Sequence, residues 1–138
     1  MPGYITVGAN DVPRSGQFYA AILIPLGYAK QDVADGVAFT APDRPAWASG
    51  PGAVYVKKPF DGRAATVGNG SMTAFEAATH AMVRAIHAAG LAAGGSDEGA
   101  PGFRDDYSDS FYVAYLRDPL GNKIAIFCAD PAEGRRGR

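Results

Sequence analysis

The sequence predicts an α+β fold made of two β-α-β-β-β modules in tandem, and three observations predict it. Short β-rich runs and amphipathic helical stretches follow one another in the same order in both halves. The halves can be written one above the other, with Tyr4 on Met72, the cap residue Asp11 on Thr79, and Val54-Tyr55-Val56 on Ile124-Ala125-Ile126. Finally, RDPLGN between the apolar runs SFYVAYL and KIAIFCA reads as the turn of a β-hairpin.

Each element has a local reason. YITVGA, from Tyr4 to Ala9, is β-rich; Asp11 can then cap a helix that takes Pro13 in its first turn. Phe18, Ala21, Ile22 and Ile24 give that helix its apolar stripe before Pro25 and Gly27 end it. Three strands follow, GYAKQDV, GVAFTA and AVYVKK, with a turn at Asp35-Gly36 and the loop APDRPAWASGPG before the third. The polar loop PFDGRAATVGNG leads into the strand MTAFEA, and Thr79 caps the helix HAMVRAIHAAG. Met82, Val83, Ile86 and Ala89 mark the buried side of that helix, and Gly90 its end. The connection LAAGGSDEGAPGFRDDYSD is expected to hold at most a short strand, near Ala92 to Ser96. In the closing hairpin, Asp118 can bond the backbone two residues on, Pro119 presets φ, and Gly121 or Asn122 tolerates φ > 0. Module one covers about residues 4–58 and module two about 71–128, with 129–138 as a flexible tail.

Composition narrows the function classes. A chain of 138 residues, 47% hydrophobic and 20% charged, is enough for one domain with a real core. A net charge of −1 offers no phosphate-seeking surface, so no nucleic-acid partner is expected, and Arg135, Arg136 and Arg138 read as a solvated terminus. The single cysteine, Cys128, cannot form an internal disulfide; its apolar strand predicts a buried structural thiol and a reducing, cytoplasmic home. No apolar run approaches the ~18 residues of a membrane span, and MPGYITVGAND has no signal-peptide pattern, so no membrane partner is expected. Ser15, Ser49, Ser71 and Ser110 lack a G-x-S-x-G setting, and Cys128 has no evident histidine partner.

YITVGANDVPRSGQFYAAILIPLGY, GNGSMTAF and RDPLGNKIAIFC resemble the vicinal oxygen chelate superfamily, which includes glyoxalase I, extradiol dioxygenases, and bleomycin- and fosfomycin-resistance proteins. The resemblance spans roughly residues 4 to 128, and its most specific piece is the Asp-Pro-x-Gly-Asn turn with the apolar strand after it. Within the superfamily the chain is most similar to the small glyoxalase/bleomycin-resistance-like proteins. The resemblance implies an incompletely closed, eight-stranded barrel-like sheet with helices outside, a concave pocket, and pairing of two chains as a homodimer. Metal-dependent members draw four ligands from His, Glu or Gln on four strands. Projected here, those places fall at Tyr4, Met72, Ala125 and near Tyr55, none of which is such a ligand.

Coordination chemistry points the same way, because a catalytic divalent ion takes about three protein ligands at roughly 2.0–2.3 Å. His80 and His87 lie on one helix about 10 Å of rise apart and read as surface or boundary histidines. Asp105, Asp106 and Asp109 fall in a polar loop, either simply solvated or forming a rim or a weak cation site. No metal and no cofactor is therefore expected. Glu76 is the one acid on a barrel strand: either a buried general base with a raised pKa or a hydrogen-bonded residue at the strand's end.

Strand alternation turns Tyr4, Thr6, Tyr55, Met72, Ala74, Ala125 and Phe127 into the barrel, and Ile5, Val7, Phe75, Ile124 and Ile126 under the helices. Such an interior suits a small, partly apolar, planar molecule gripped by ring faces and oriented by tyrosine hydroxyls, unless these side chains fill a collapsed barrel. Trp47 covers the pocket mouth, joins a dimer contact, or merely packs. The expected function is metal-free binding of a small molecule. The alternative is an enzyme: a metal-dependent lyase, isomerase or dioxygenase of the glyoxalase I type, or a metal-free catalyst using Glu76 and tyrosines.

Overall fold

The computed structural model describes residues 3–42, 52–104 and 107–135; Trp47, Ser49, Asp105, Asp106, Arg136 and Arg138 lie outside the described residues. Module one runs β1 (Tyr4–Gly8), α1 (Val12–Leu23), β2 (Ala29–Val33), β3 (Gly36–Thr40) and β4 (Ala53–Lys57). Module two repeats it as β5 (Thr73–Glu76), α2 (His80–Ala92), β6 (Ser96–Phe103), β7 (Tyr112–Arg117) and β8 (Lys123–Cys128). The sheet orders match, β1-β4-β3-β2 and β5-β8-β7-β6. In each, the first strand lies parallel to the last and the other pairs are antiparallel. The two sheets do not close on one another, which is the α+β architecture expected from the sequence.

Both helices begin and end by the same chemistry. The Asp11 side chain accepts from the Arg14 N–H at 3.1 Å, and Thr79 Oγ1 accepts from the Met82 N–H at 3.0 Å, so each cap satisfies one otherwise unpaired donor of its first turn. At the other ends the chain reverses through glycines with positive φ, +94° at Gly27 and +100° at Gly94. Tyr28 N–H then reaches back to Leu23 O, and Gly95 N–H to Gly90 O. The second helix therefore runs past Gly90, contrary to the sequence expectation. Gly90 is kept for packing: a Cβ there would lie 2.7 Å from Leu116 Cδ1 and 3.2 Å from Ile22 Cγ2, where α1 and α2 meet.

The core lies between the helices and the convex faces of the sheets. Phe18, Ile22 and Leu23 of α1 are wholly buried, each stabilising the fold by roughly 1.5–3 kcal/mol. They join Val54 and Val56 of β4, Phe75 of β5, Val83 and Ile86 of α2, and Ile124 and Ile126 of β8, with Ile5 and Val7 packed alongside. The outward set expected from alternation is the set found there. Cys128 is buried too, its Sγ 3.5 Å from Ala78 O.

Three further sequence expectations need correction. Ile24 is not part of the buried stripe of α1: it begins the turn that follows the helix and is 50% exposed, and Tyr19 and Leu23 are buried on the helix instead. β6 is not a short strand before Ser96 but eight residues, Ser96–Phe103, despite its glycines and Pro101. It is a sheet edge whose pairing with β7 shifts register around Gly99 and Gly102, skipping Pro101, so the missing N–H costs no ladder bond. His87 is not a surface or boundary residue: it is buried against β6, with Nε2 2.9 Å from Asp97 Oδ1. No helix among the described residues is long and apolar enough to cross a membrane.

Candidate functional site

The Asp-Pro-x-Gly-Asn turn is the joint that sets the two modules against each other. Asp118 is buried; its Oδ1 accepts from the N–H groups of Leu120, Gly121 and Asn122 at 2.9–3.0 Å, which folds the turn around one carboxylate. Its Oδ2 accepts from Asn122 Nδ2 at 2.9 Å and from the Tyr19 hydroxyl of α1 at 2.7 Å. Asn122 Nδ2 also donates to Gly8 O, at the end of β1. The Tyr19 hydroxyl is held well above the ordinary phenol pKa, by burial first and then by the charge and hydrogen bond of Asp118. Sequence reading found the turn but not its partners, because Tyr19 and Gly8 lie about a hundred residues away and carry no local signal.

With the modules fixed in this way, the concave faces of the sheets form the candidate site. Thr6 stands opposite Tyr55, and Tyr4 opposite Ala53, so the Tyr4 and Tyr55 rings meet edge to face with centroids 5.3 Å apart. Tyr4 is 59% exposed and Met72 48%, and Thr6, Ala74 and Glu76 are exposed as well. Thr6 and Met72 line a cleft of about 580 Å³ along the seam, between β1, the loop around Thr66 to Ser71, and Lys123. Tyr4 and Ala74 border a smaller apolar recess of about 190 Å³ with Tyr28, Val54 and Phe75. Ala125 is opposite Ala74 in register but only 2% exposed, and Phe127 stacks on Phe111 with centroids 5.6 Å apart. The expected lining is thus spread over an open, grooved face. Glu76 is not a buried acid; it is exposed, and borders a different cleft with Pro25, Met82 and Cys128.

A second group on the same face was missed. Tyr115 lies opposite Ala125, and Arg117 opposite Lys123. The Lys123 ammonium is 5.0 Å from the centre of the Tyr115 ring, and the Arg104 guanidinium 5.3 Å. Met72, Tyr107, Tyr115, Arg117 and Lys123 line a cleft of about 390 Å³ with Asn69, Gly70 and Ser71. Burial raises the Tyr115 pKa, Tyr107 adds to the rise, and Arg104 opposes it. Lys123 could have been found by carrying the alternation from Phe127 and Ala125 one step further; Arg104 could not, since it depends on the unforeseen β6.

The donor chemistry of these positions does not fit the superfamily's metal. At the places the resemblance projects for its donors stand phenols at Tyr4 and near or at Tyr55, a thioether at Met72 and a methyl group at Ala125, where imidazoles and carboxylates would be needed. Among the described residues no three His, Cys, Asp or Glu side chains are grouped to hold an ion. His87 is engaged by Asp97, while His80 stacks on Tyr112 with centroids 4.1 Å apart.

A crystal structure of a glyoxalase/bleomycin resistance protein from Albidiferax ferrireducens T118 superposes with a TM-score of 0.81 at 38% identity, covering 94% of this chain and 99% of that one. The chain belongs to this glyoxalase/bleomycin resistance protein family. The family is part of the vicinal oxygen chelate superfamily. A glyoxalase-related enzyme from Fulvimarina pelagi shares the fold at 18% identity, with a TM-score of 0.67 over 95% of this chain and 88% of that one. So does a lactoylglutathione lyase from Agrobacterium tumefaciens, at 18% identity and a TM-score of 0.60 over 93% and 92%. No family model and no curated protein matches the sequence.

Proposed function

We propose that this glyoxalase/bleomycin resistance family member binds a small, partly apolar, planar molecule on its concave face without a metal ion. What supports the reading is a face grooved by clefts of about 580 and 390 Å³ that Thr6 and Met72 line, together with the phenol, thioether and methyl side chains of Tyr4, Tyr55, Met72 and Ala125 at the places the resemblance projects for metal donors. Those volumes are of the size small molecules occupy. A ring set against Tyr4 and Tyr55 gains about 0.5–1.5 kcal/mol beyond its buried area, while hydroxyls and the Thr6 side chain orient it. The role is sequestration or sensing rather than metal-dependent chemistry. The chain acts as one domain and as a homodimer, whose second copy covers sheet edges such as β2 and β6.

The test combines elemental analysis of the purified protein with native mass spectrometry of wild type and Tyr55→Ala. The expected result is well under one transition metal per chain, a dimer mass, and a retained small molecule that Tyr55→Ala loses. About one Zn, Ni, Mn or Fe per chain, removable with loss of an activity, would overturn the reading in favour of a metal-dependent lyase, isomerase or dioxygenase.

A further inference from the structure

We propose that the ligand of the concave face carries an oxyanion, a carboxylate or a phosphonate on a flat ring, and that Lys123 is the residue that holds it. This inference rests on the metal-free reading above and adds the chemical class of the ligand.

The cations of this face are unequally committed. Arg117 is engaged: its Nη2 donates to Glu98 Oε1 at 3.2 Å and its Nη1 to Gly121 O at 3.1 Å. Hydrogen bonding and charge from Arg117, helped by Lys123, keep Glu98 below the usual carboxylate range. Arg104 is folded back on β6, donating to Ala100 O and Phe103 O. Lys123 enters no ion pair among the described residues and has its ammonium over the Tyr115 ring. A cation over an aromatic face that acts on Glu98 only through space, and joins no ion pair among the described residues, is a place for an anion brought from outside.

The position suits that task. Lys123, Gly70, Ser71 and Met72 line both the 580 Å³ cleft and the 390 Å³ cleft, so an anion at Lys123 sits where the two grooves meet. Ser71 and Asn69 add polar groups nearby, and the Met72 thioether and the Tyr107 and Tyr115 rings supply apolar surface for the flat part of the molecule. The Arg104 guanidinium, 5.3 Å from the Tyr115 ring centre, adds positive potential from the β6 side. Lys123 follows the turn that fixes the modules, so its backbone is anchored by the Asn122 and Asp118 hydrogen bonds. A lysine that were only a solubilising surface charge would show no preference among ligands of equal shape and different charge.

The experiment titrates wild type, Lys123→Gln and Lys123→Arg with benzoate, phenylphosphonate and neutral benzamide at fixed ionic strength, following backbone amides by NMR. Benzoate or phenylphosphonate should shift the amides of Ser71, Met72, Tyr115 and Lys123 and saturate at about millimolar concentration, as befits so small a probe. Whichever of the two binds more tightly names the oxyanion. Lys123→Gln should weaken it about tenfold, the order of one charge-assisted contact, while Lys123→Arg keeps most of the affinity. If benzamide binds as tightly as the anions, or Lys123→Gln changes nothing, the oxyanion assignment is wrong and the concave-face reading survives. If none of the three probes moves these amides, both fall.

Discussion

The two modules are built on one plan and part company at equivalent positions. Tyr19 of α1 and His87 of α2 occupy matching places, each a buried polar group on the core side of its helix, and each finds an aspartate of module two. Tyr19 reaches across to Asp118 and ties the modules together; His87 stays within its own module, on Asp97 of the edge strand β6. On the concave side the exchange is between large and small. Ala38 faces Tyr55 in module one, and Tyr115 faces Ala125 in module two, so the ring has changed strand while the size of the pair is kept. Similar packing does not require similar chemistry: module one offers phenols and Thr6, module two a ring flanked by cations.

Breaking the joint between the modules should have the largest effect. Asp118→Ala removes the acceptor for the Leu120, Gly121 and Asn122 amides and for the buried Tyr19 hydroxyl. Leaving these donors unpaired should cost more than about 3 kcal/mol, read as a lowered midpoint in urea unfolding; a loss below 1 kcal/mol would show that the modules do not depend on this turn. The helix crossing comes next. Gly90→Ala puts a methyl group against Leu116, Ile22 and Phe18 in a full core and should cost about 1–3 kcal/mol by overpacking. If it stabilises instead, as alanine does in an open helix, the α1–α2 contact is looser than described.

The matched pair Tyr19 and His87 gives the smallest effects and the sharpest comparison, because the titrating groups of the two contacts, the Tyr19 phenol and the Asp97 carboxylate, have opposite pH dependences. A phenol pKa raised in the folded state means that Tyr19 contributes fully below about pH 10 and that its contribution is lost as pH rises beyond. Tyr19→Phe should lose about 1–2 kcal/mol near neutrality and flatten the alkaline side of the stability profile. Asp97 is held below its ordinary value by the hydrogen bond from His87 first and the Gly99 N–H second. Its contribution is present above about pH 4 and is lost as pH falls through the folded value. His87→Gln should therefore trim stability slightly and change only the acid side. Thermal melts of the two variants from pH 3 to 11 check both signs; a variant that alters the opposite limb refutes the corresponding pairing.

Most of the scaffold was legible because it is written in local signals. Asp11 and Thr79 as caps, the alternation of KIAIFC and the RDPLGN turn each follow from spacing and backbone chemistry and are where the sequence placed them, as are Phe18 and Ile22 of the first helix stripe, though not Ile24. What was not legible depends on contacts between distant segments. SDEGAPGF has poor strand propensity and becomes β6 only because β7 lends it an edge. Gly90 looks like a helix end until its neighbour Ile22, far earlier in the chain, is known. The site divides in the same way: alternation picked the residues sharing a face, Tyr4, Thr6, Met72 and Ala125. It did not foresee that Ala125 would be buried, Glu76 exposed, or Arg104 and Lys123 gathered at Tyr115.

Ala125 is the place where the metal-free proposal can be tested most directly, since the resemblance projects the superfamily's last metal-binding carboxylate there and the residue is 2% exposed. Ala125→Glu forces a carboxyl into a buried place, and burial there outweighs the attraction of Lys123 two residues along the same face, so the substitution costs several kcal/mol or raises the carboxyl's pKa. A raised pKa makes the penalty full at neutral pH and smaller as pH falls toward the unfolded value of about 4.3. Thermal unfolding of Ala125→Glu, with Ala125→Gly as the control for lost packing, should therefore show a melting temperature lower by several degrees at pH 7, partly recovered in mild acid. Micromolar Zn²⁺ or Ni²⁺ should leave it unchanged. Stabilisation of the glutamate variant by either metal would mean that donors surround position 125, and would contradict the metal-free reading of this face.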